Sequence, residues 1–289
     1  MRYLENAVRF TFKNFLITLP LLISMAIPAL IMGVGSLGLL ANMGKFQQII
    51  QDMVSGGAYN FTPDMFYDLY TPTVIISMVV AGMLSIILAI LVYPITYGLI
   101  NKKYETGNAN FSDMTSCLSK YIGRYILCGL LGIAIVIGAS LVFGILIGIG
   151  AIIAATVNVV VGVILIVMFI LASIVGSVAL GIYMSLWFTA VCIEDTGIIQ
   201  GLKNSFKYVS GSFWTILGIS LLISLCSFVV SAILNLVLGW VPIIGSVVSP
   251  VVSGLAGFIT IVFYFEIYRE KTGRFSTPET FGQINGGVQ

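Results

Sequence analysis

The sequence predicts an all-α integral membrane protein with six transmembrane helices, arranged as three parallel repeats of an amphipathic interfacial helix followed by a transmembrane helical hairpin. Three observations carry the prediction. Of the 289 residues, 59% are hydrophobic and only 8% are charged, whereas a soluble domain carries about a quarter charged residues. The charges leave long gaps at 14–44, 69–101, 125–193 and 208–265, each longer than the roughly 20 apolar residues that cross a hydrocarbon core about 30 Å thick. A short signal then closes an apolar run three times: KYETG at 103–107, IEDTG at 193–197 and REKTG at 269–273.

The first gap holds one helix centred near residue 28. Its basic flank (Arg2, Arg9, Lys13) would suit a signal peptide, but the uncharged run outlasts the roughly 7–15 apolar residues of such a peptide and lacks an A-x-A-like cleavage site, so the helix is expected to be retained. The second gap holds a helix centred near 86. The third is long enough for two crossings, centred near 138 and 174, with Thr156, Asn158 and Gly162 between them. The fourth also holds two, centred near 225 and 256, punctuated by GWVPIIGSVVSP at 239–250, where Pro242 and Pro250 favour a turn. In the long 42–72 loop, FTPDMFYDLYTP (61–72) predicts a short helix with Thr62 as cap, Pro63 at its first position and Asp64 in its first turn.

Aligned without gaps, the three signals extend to YPITYGLINKKYETG (93–107), YMSLWFTAVCIEDTG (183–197) and ITIVFYFEIYREKTG (259–273). An aromatic stays in register at Tyr97, Trp187 and Phe263, suited to the headgroup layer. Thr-Gly stays in register at 106/107, 196/197 and 272/273, where glycine accepts the left-handed conformation that ends a helix. An amphipathic segment precedes each pair of crossings. In 198–209 it sets Ile198, Ile199, Leu202, Phe206 and Val209 against Gln200, Lys203, Asn204 and Lys207. In 112–124 Met114, Cys117, Leu118 and Tyr121 oppose Asp113, Ser116, Lys120 and Arg124. At the start, Leu4, Val8, Phe12 and Phe15 oppose Arg2, Asn6, Arg9 and Lys13. The chain therefore reads as a single membrane domain over 1–289, with repeats at 1–107, 108–197 and 198–273 and a cytoplasmic tail at 274–289.

Charge placement orients this arrangement. Assigning loops alternately to the two sides puts twelve of the thirteen basic residues on the side of the termini and only Lys45 on the other, which predicts a plasma-membrane protein with both termini cytoplasmic. Membrane lipids are the expected partners, with Arg9, Lys13, Lys120, Arg124, Lys203 and Lys207 as headgroup contacts, together with a protein partner on the cytoplasmic face. Small residues recur every fourth position (Ser77, Ala81, Ser85, Ala89; Ser140, Gly144, Gly148; Ser173, Ser177, Gly181, Ser185; Ser249, Ser253, Gly257) and read as helix-packing stripes.

The residues offer little chemistry. Histidine is absent, and the four cysteines (Cys117, Cys128, Cys192, Cys226) show no C-x-x-C spacing, so neither metal, cofactor nor disulfide is expected. No phosphate-binding loop, nucleophile elbow or nucleic-acid module is present. No predicted span carries a charge near its centre. The deepest is Glu266, followed at helical spacing by Arg269, a boundary or gating ion pair near the cytoplasmic end. Glu194 and Asp195 read as helix-start charges.

The segment CIEDTGIIQGLKNSFKYVSGSFWTILGISLLI (192–223), together with FYFEIYREKTG (263–273), resembles the membrane domain that accompanies some bacterial glycerophosphodiester phosphodiesterases, and a wider group of multi-pass bacterial and archaeal proteins. The likeness covers about 80 residues at the C-terminal end. In the phosphodiesterases a soluble catalytic domain follows, whereas here 16 residues follow Gly273, so the resemblance implies no catalytic residue. The expected function is that of a non-enzymatic scaffold, accessory or lipid-interacting membrane component. The alternative is a transporter or permease subunit for an uncharged or amphipathic substrate, for which a cavity lined by polar atoms such as Ser173, Ser177, Asn158 or Asn235 would speak.

Overall fold

The computed structural model describes residues 2–41, 44, 47, 51 and 71–274; the short helix expected over 61–72 falls almost wholly outside them. The chain is all-α, with no strand among the described residues. Its helices are α1 (Arg2–Lys13), α2 (Phe15–Ala41), α3 (Pro72–Thr106), a 3₁₀ turn (Phe111–Asp113), α4 (Met114–Thr156), α5 (Val159–Met184), α6 (Trp187–Glu194), α7 (Ile198–Ser210), α8 (Phe213–Leu238) and α9 (Pro242–Lys271). Among the described residues, six stretches are long and apolar enough to cross a membrane: Phe15–Gly35, Pro72–Thr106, Phe111–Thr156, Val159–Glu194, Phe213–Leu238 and Ile243–Lys271. All six expected centres fall inside them.

The turn in the longest charge-free run forms where Asn158 was marked. Its side chain accepts the backbone N–H groups of Val160 (2.9 Å) and Val161 (3.2 Å), satisfying two of the donors that a helix start leaves open. Gly162 then sits so near Ala154 that a Cβ there would lie 2.3 Å from it, so glycine lets the hairpin close. The later turn differs from expectation. It occupies Gly239–Val241, Pro242 opens α9, and Pro250 lies inside α9, where its missing N–H frees the carbonyl four residues back. Membrane helices tolerate such prolines because neighbouring groups re-satisfy the backbone.

Two further differences concern helix boundaries. The amphipathic segment 112–124 is not a separate helix: residues 114–124 form the first three turns of the 43-residue α4. At 1.5 Å per residue α4 is about 65 Å long, roughly twice a hydrocarbon core. Glycine ends the helix at Gly107 (φ 73°) and Gly273 (φ 69°), but in the second signal the left-handed residue is Asp195 (φ 52°). Gly197 instead has φ −66° and opens α7 as its N-cap.

The chain divides into two compact units. One comprises Met1–Asn6, Tyr97–Ser220 and Ile261–Gln289; the other comprises Ala7–Thr96 and Leu221–Thr260. In the first, the ends of α3 and α9 and α6 from Trp187 to Ile193 are the most deeply buried segments, including Leu99, Ile100, Ala190, Val191, Phe263, Phe265, Ile267 and Tyr268. In the second, α2 approaches α9 at Gly254, where an added Cβ would lie 3.3 Å from Leu22 and Met25, and α2 meets Ser77 of α3 at Gly35. The small-residue stripes divide accordingly. Ser77 and Ala81 pack, whereas an added Cβ at Gly144, Gly148 or Gly181 would meet nothing within 4 Å.

Candidate functional site

The polar groups of the first unit gather where the end of α3, α6 and the end of α9 meet. Apolar contacts define the geometry: the Tyr97 ring lies 4.9 Å edge-on from Phe188 and 5.8 Å from Phe265, and Tyr104 stacks on Phe265 at 6.2 Å. Among these rings, Glu266 is buried and accepts hydrogen bonds from the Tyr104 hydroxyl (2.5 Å) and the Asn6 amide (3.3 Å). The pair expected of Glu266 and Arg269 is thus mediated by a third residue. The carboxylate bonds Tyr104, and the Arg269 guanidinium lies over the Tyr104 ring, 5.1 Å from its centre. A buried carboxylate needs donors at short range, and a phenol supplies one without adding a second charge.

Glu194 and Asp195 end a helix instead of starting one. Glu194 accepts from the Tyr268 hydroxyl (2.6 Å) and from Asn204 of α7. Asp195, in the left-handed position just beyond α6, points elsewhere and pairs with Arg124 and, at 3.6 Å, with Lys120. The Arg124 hydrogen bond, aided by the Lys120 charge, holds the Asp195 carboxyl below its usual 3.8. Arg274 donates to the carbonyl of Ile193 (2.6 Å), a cation at a helix C-terminus. The Asn101 amide bridges α3 and α6 through the Cys192 carbonyl (3.2 Å).

Each segment expected to lie at the interface is held against one of these three ends. On α3, Lys102 pairs with Asp113 at 2.8 Å, and Gly98 faces Cys117, whose Cβ would stand 2.7 Å from an added Cβ. On α6, Trp187 donates to the Ile198 carbonyl (2.8 Å), and Gly201 of α7 packs against Val191 and Trp187. On α9, Glu270 pairs with Arg2 (3.0 Å), one turn from the Glu266–Asn6 contact. The break at Ser185–Leu186 between α5 and α6 leaves the Tyr183 carbonyl free for the Ser205 hydroxyl of α7 (2.6 Å).

The six expected headgroup cations do not share one environment. Lys120 and Arg124 are paired with Asp195. Arg9 and Lys13 are exposed on α1, and Lys203 and Lys207 are exposed on α7. Missed in the sequence were Tyr104, Asn6, Asn204 and Tyr268, which satisfy the two carboxylates. The only signal for them was a polar residue near each helix end, and their partners lie up to 260 residues away.

The second unit holds a groove of about 500 Å³ between α8 and α9, with Ser224, Ser227 and Ser231 on one wall and Ser249, Ser253 and Thr260 on the other. Asn235 donates to the Ser249 hydroxyl at 2.7 Å. None of the four polar positions expected to line a cavity, Ser173, Ser177, Asn158 and Asn235, lines it; Asn235 reaches it only through Ser249. No family model, curated protein or solved structure matches this chain.

Proposed function

We propose that this multi-pass membrane protein is a non-enzymatic scaffold or accessory component that engages membrane lipids and a partner on its cytoplasmic face. The observation that carries this reading is the junction of helix ends just described. Its carboxylates, Glu266 buried and Glu194 half-buried, are bonded by tyrosine and amide donors from other segments, and Asp195 is held by two cations. Such bonding suits a rigid platform: the ionisable groups that could serve catalysis or ion coupling in a membrane here join one segment to another.

The reading includes three parallel repeats at 1–107, 108–197 and 198–273, with both termini cytoplasmic. Two features support it. Positions aligned by the ungapped signals are buried together: Leu99 with Thr189 and Phe265, and Asn101 with Val191 and Ile267. Each interfacial segment also rests on the end of the preceding repeat, and the first rests on the last through Arg2–Glu270 and Asn6–Glu266. Contacts that follow this cycle are what a threefold duplication would produce if it closed on itself.

Extraction in mild detergent followed by native mass spectrometry of the intact chain tests the proposal. Retained lipid or a retained protein subunit is expected; a chain that retains neither, yet carries a solute across proteoliposomes, overturns it. The serine-lined groove between α8 and α9 favours a second reading, a permease subunit for an uncharged or amphipathic substrate. On that reading Ser227→Leu with Ser253→Leu would abolish flux by filling the groove.

A further inference from the structure

The α7 helix has a narrow inward face and a divided outward one. Gly201, Ser205 and Val209, at spacings of four, are buried, and none of these three is a large apolar residue. Ile199 is 65% exposed and Phe206 39% exposed. At 100° per residue they lie about 20° apart on the helix surface, with Lys203 about 40° beyond Ile199 and Lys207 about 40° beyond Lys203. An apolar strip and a cationic strip therefore run side by side along the exposed surface.

The position of α7 in the chain sets its depth. Three residues separate it from the apolar stretch ending at Glu194, and two separate it from the one starting at Phe213. At about 3.5 Å per extended residue, the two-residue link keeps the end of the helix within about 10 Å of the start of α8. One residue into α8, Trp214 is 79% exposed, the side chain most enriched at that boundary along with tyrosine.

Charge identifies the occupant. Lys203 and Lys207 have no ion-pair partner among the described residues. The carboxylates nearest in sequence are committed elsewhere, Glu194 to Tyr268 and Asn204, and Asp195 to Lys120 and Arg124. Lys207 lies 5.4 Å from the Tyr208 ring centre, which leaves its charge uncompensated. We infer that α7 is a binding surface for anionic phospholipid of the adjoining leaflet: Lys203 and Lys207 hold the headgroup, and Ile199 and Phe206 enter the acyl region beside it. This rests on the lipid-engaging reading above and narrows it, because Lys120 and Arg124 are assigned to an internal pair and not to lipid.

Trp214 supplies the test. In a Trp240→Phe background, which removes the other highly exposed tryptophan, the full chain is reconstituted in phosphatidylcholine containing graded amounts of brominated phosphatidylglycerol or brominated phosphatidylcholine, and quenching of Trp214 gives the relative affinities. A preference for the anionic lipid is expected. It should fall about fivefold for each lysine removed in Lys203→Gln and Lys207→Gln, shrink at 1 M salt, where the screening length is about 3 Å, and survive Lys120→Gln. Equal quenching by the two lipids, a preference that survives the double lysine variant, or an equal loss in Lys120→Gln would overturn the inference. Lipid retained in mild detergent without anionic preference sinks this inference alone, whereas no retained lipid counts against the lipid-engaging reading itself.

Discussion

Asp195 shows how one residue can meet two demands. Its backbone adopts the left-handed conformation (φ 52°), which asparagine and aspartate visit more readily than other side chains except glycine. Its carboxylate also draws Arg124 and Lys120 of α4 to the α6–α7 elbow. Asp195→Asn keeps the backbone tolerance and removes the charge, so it isolates the ionic part. Because the folded-state carboxyl lies below its usual 3.8, its contribution is complete above that value and is lost as pH falls through the lower folded value. The thermal midpoint of Asp195→Asn should therefore trail the parent at pH 7 by a gap that narrows on acidification below pH 3.8. A gap independent of pH would mean that the pairs contribute nothing. Glu266 and Glu194 share a different device: each takes a tyrosine hydroxyl and an amide from two other helices, which bonds the carboxylate and ties three elements together.

At the level of the elements, glycines divide into those that admit a neighbour and those that face open space. An added Cβ at Gly201 would lie 2.4 Å from the side chain of Val191, itself fully buried, and 3.4 Å from the Trp187 carbonyl. At Gly144 it would meet nothing within 4 Å. Gly201→Ala should therefore destabilise the fold by about 1–3 kcal/mol through overpacking. Gly144→Ala should be neutral or stabilise by up to about 1 kcal/mol, since glycine is a poor helix former. Unfolding midpoints in detergent will separate the two; equal losses would show that α7 does not pack on α6 as described. The stripe Ser140, Gly144, Gly148 could not be told from a packing seam in the sequence, because small residues promote packing only if another helix arrives.

For the molecule as a whole, the lopsided placement of cations is the basis of the proposed orientation. Single cysteines in a cysteine-free background test it, one at a turn between crossings and one on α7. An impermeant thiol reagent applied to intact cells should label Asn158→Cys, at the α4–α5 turn, and should reach Gln200→Cys on α7 only after permeabilisation. The reverse pattern would invert the topology and move the proposed lipid site to the opposite leaflet. The six apolar stretches were legible because hydrocarbon demands long charge-free runs, and the α4–α5 turn was legible because Asn158 caps locally. The continuity of 114–156 was not legible: an amphipathic segment leading into an apolar one reads the same whether or not the helix bends between them.

The placement of the long apolar helices, the helix-ending glycines at Gly107 and Gly273 and the clustering of cations near the Thr-Gly signals could all be read from the order of residues alone. These follow from local rules of chain length, backbone conformation and the cost of charge in lipid. That Glu266 bonds Tyr104 and Asn6, that Asp195 claims Lys120 and Arg124, and that α7 turns Gly201, Ser205 and Val209 inward with its lysines outward came to light in the folded chain. Partner choice depends on which helix ends approach in space, and residues such as Asn6 and Glu266, 260 apart in the chain, are brought together by folding.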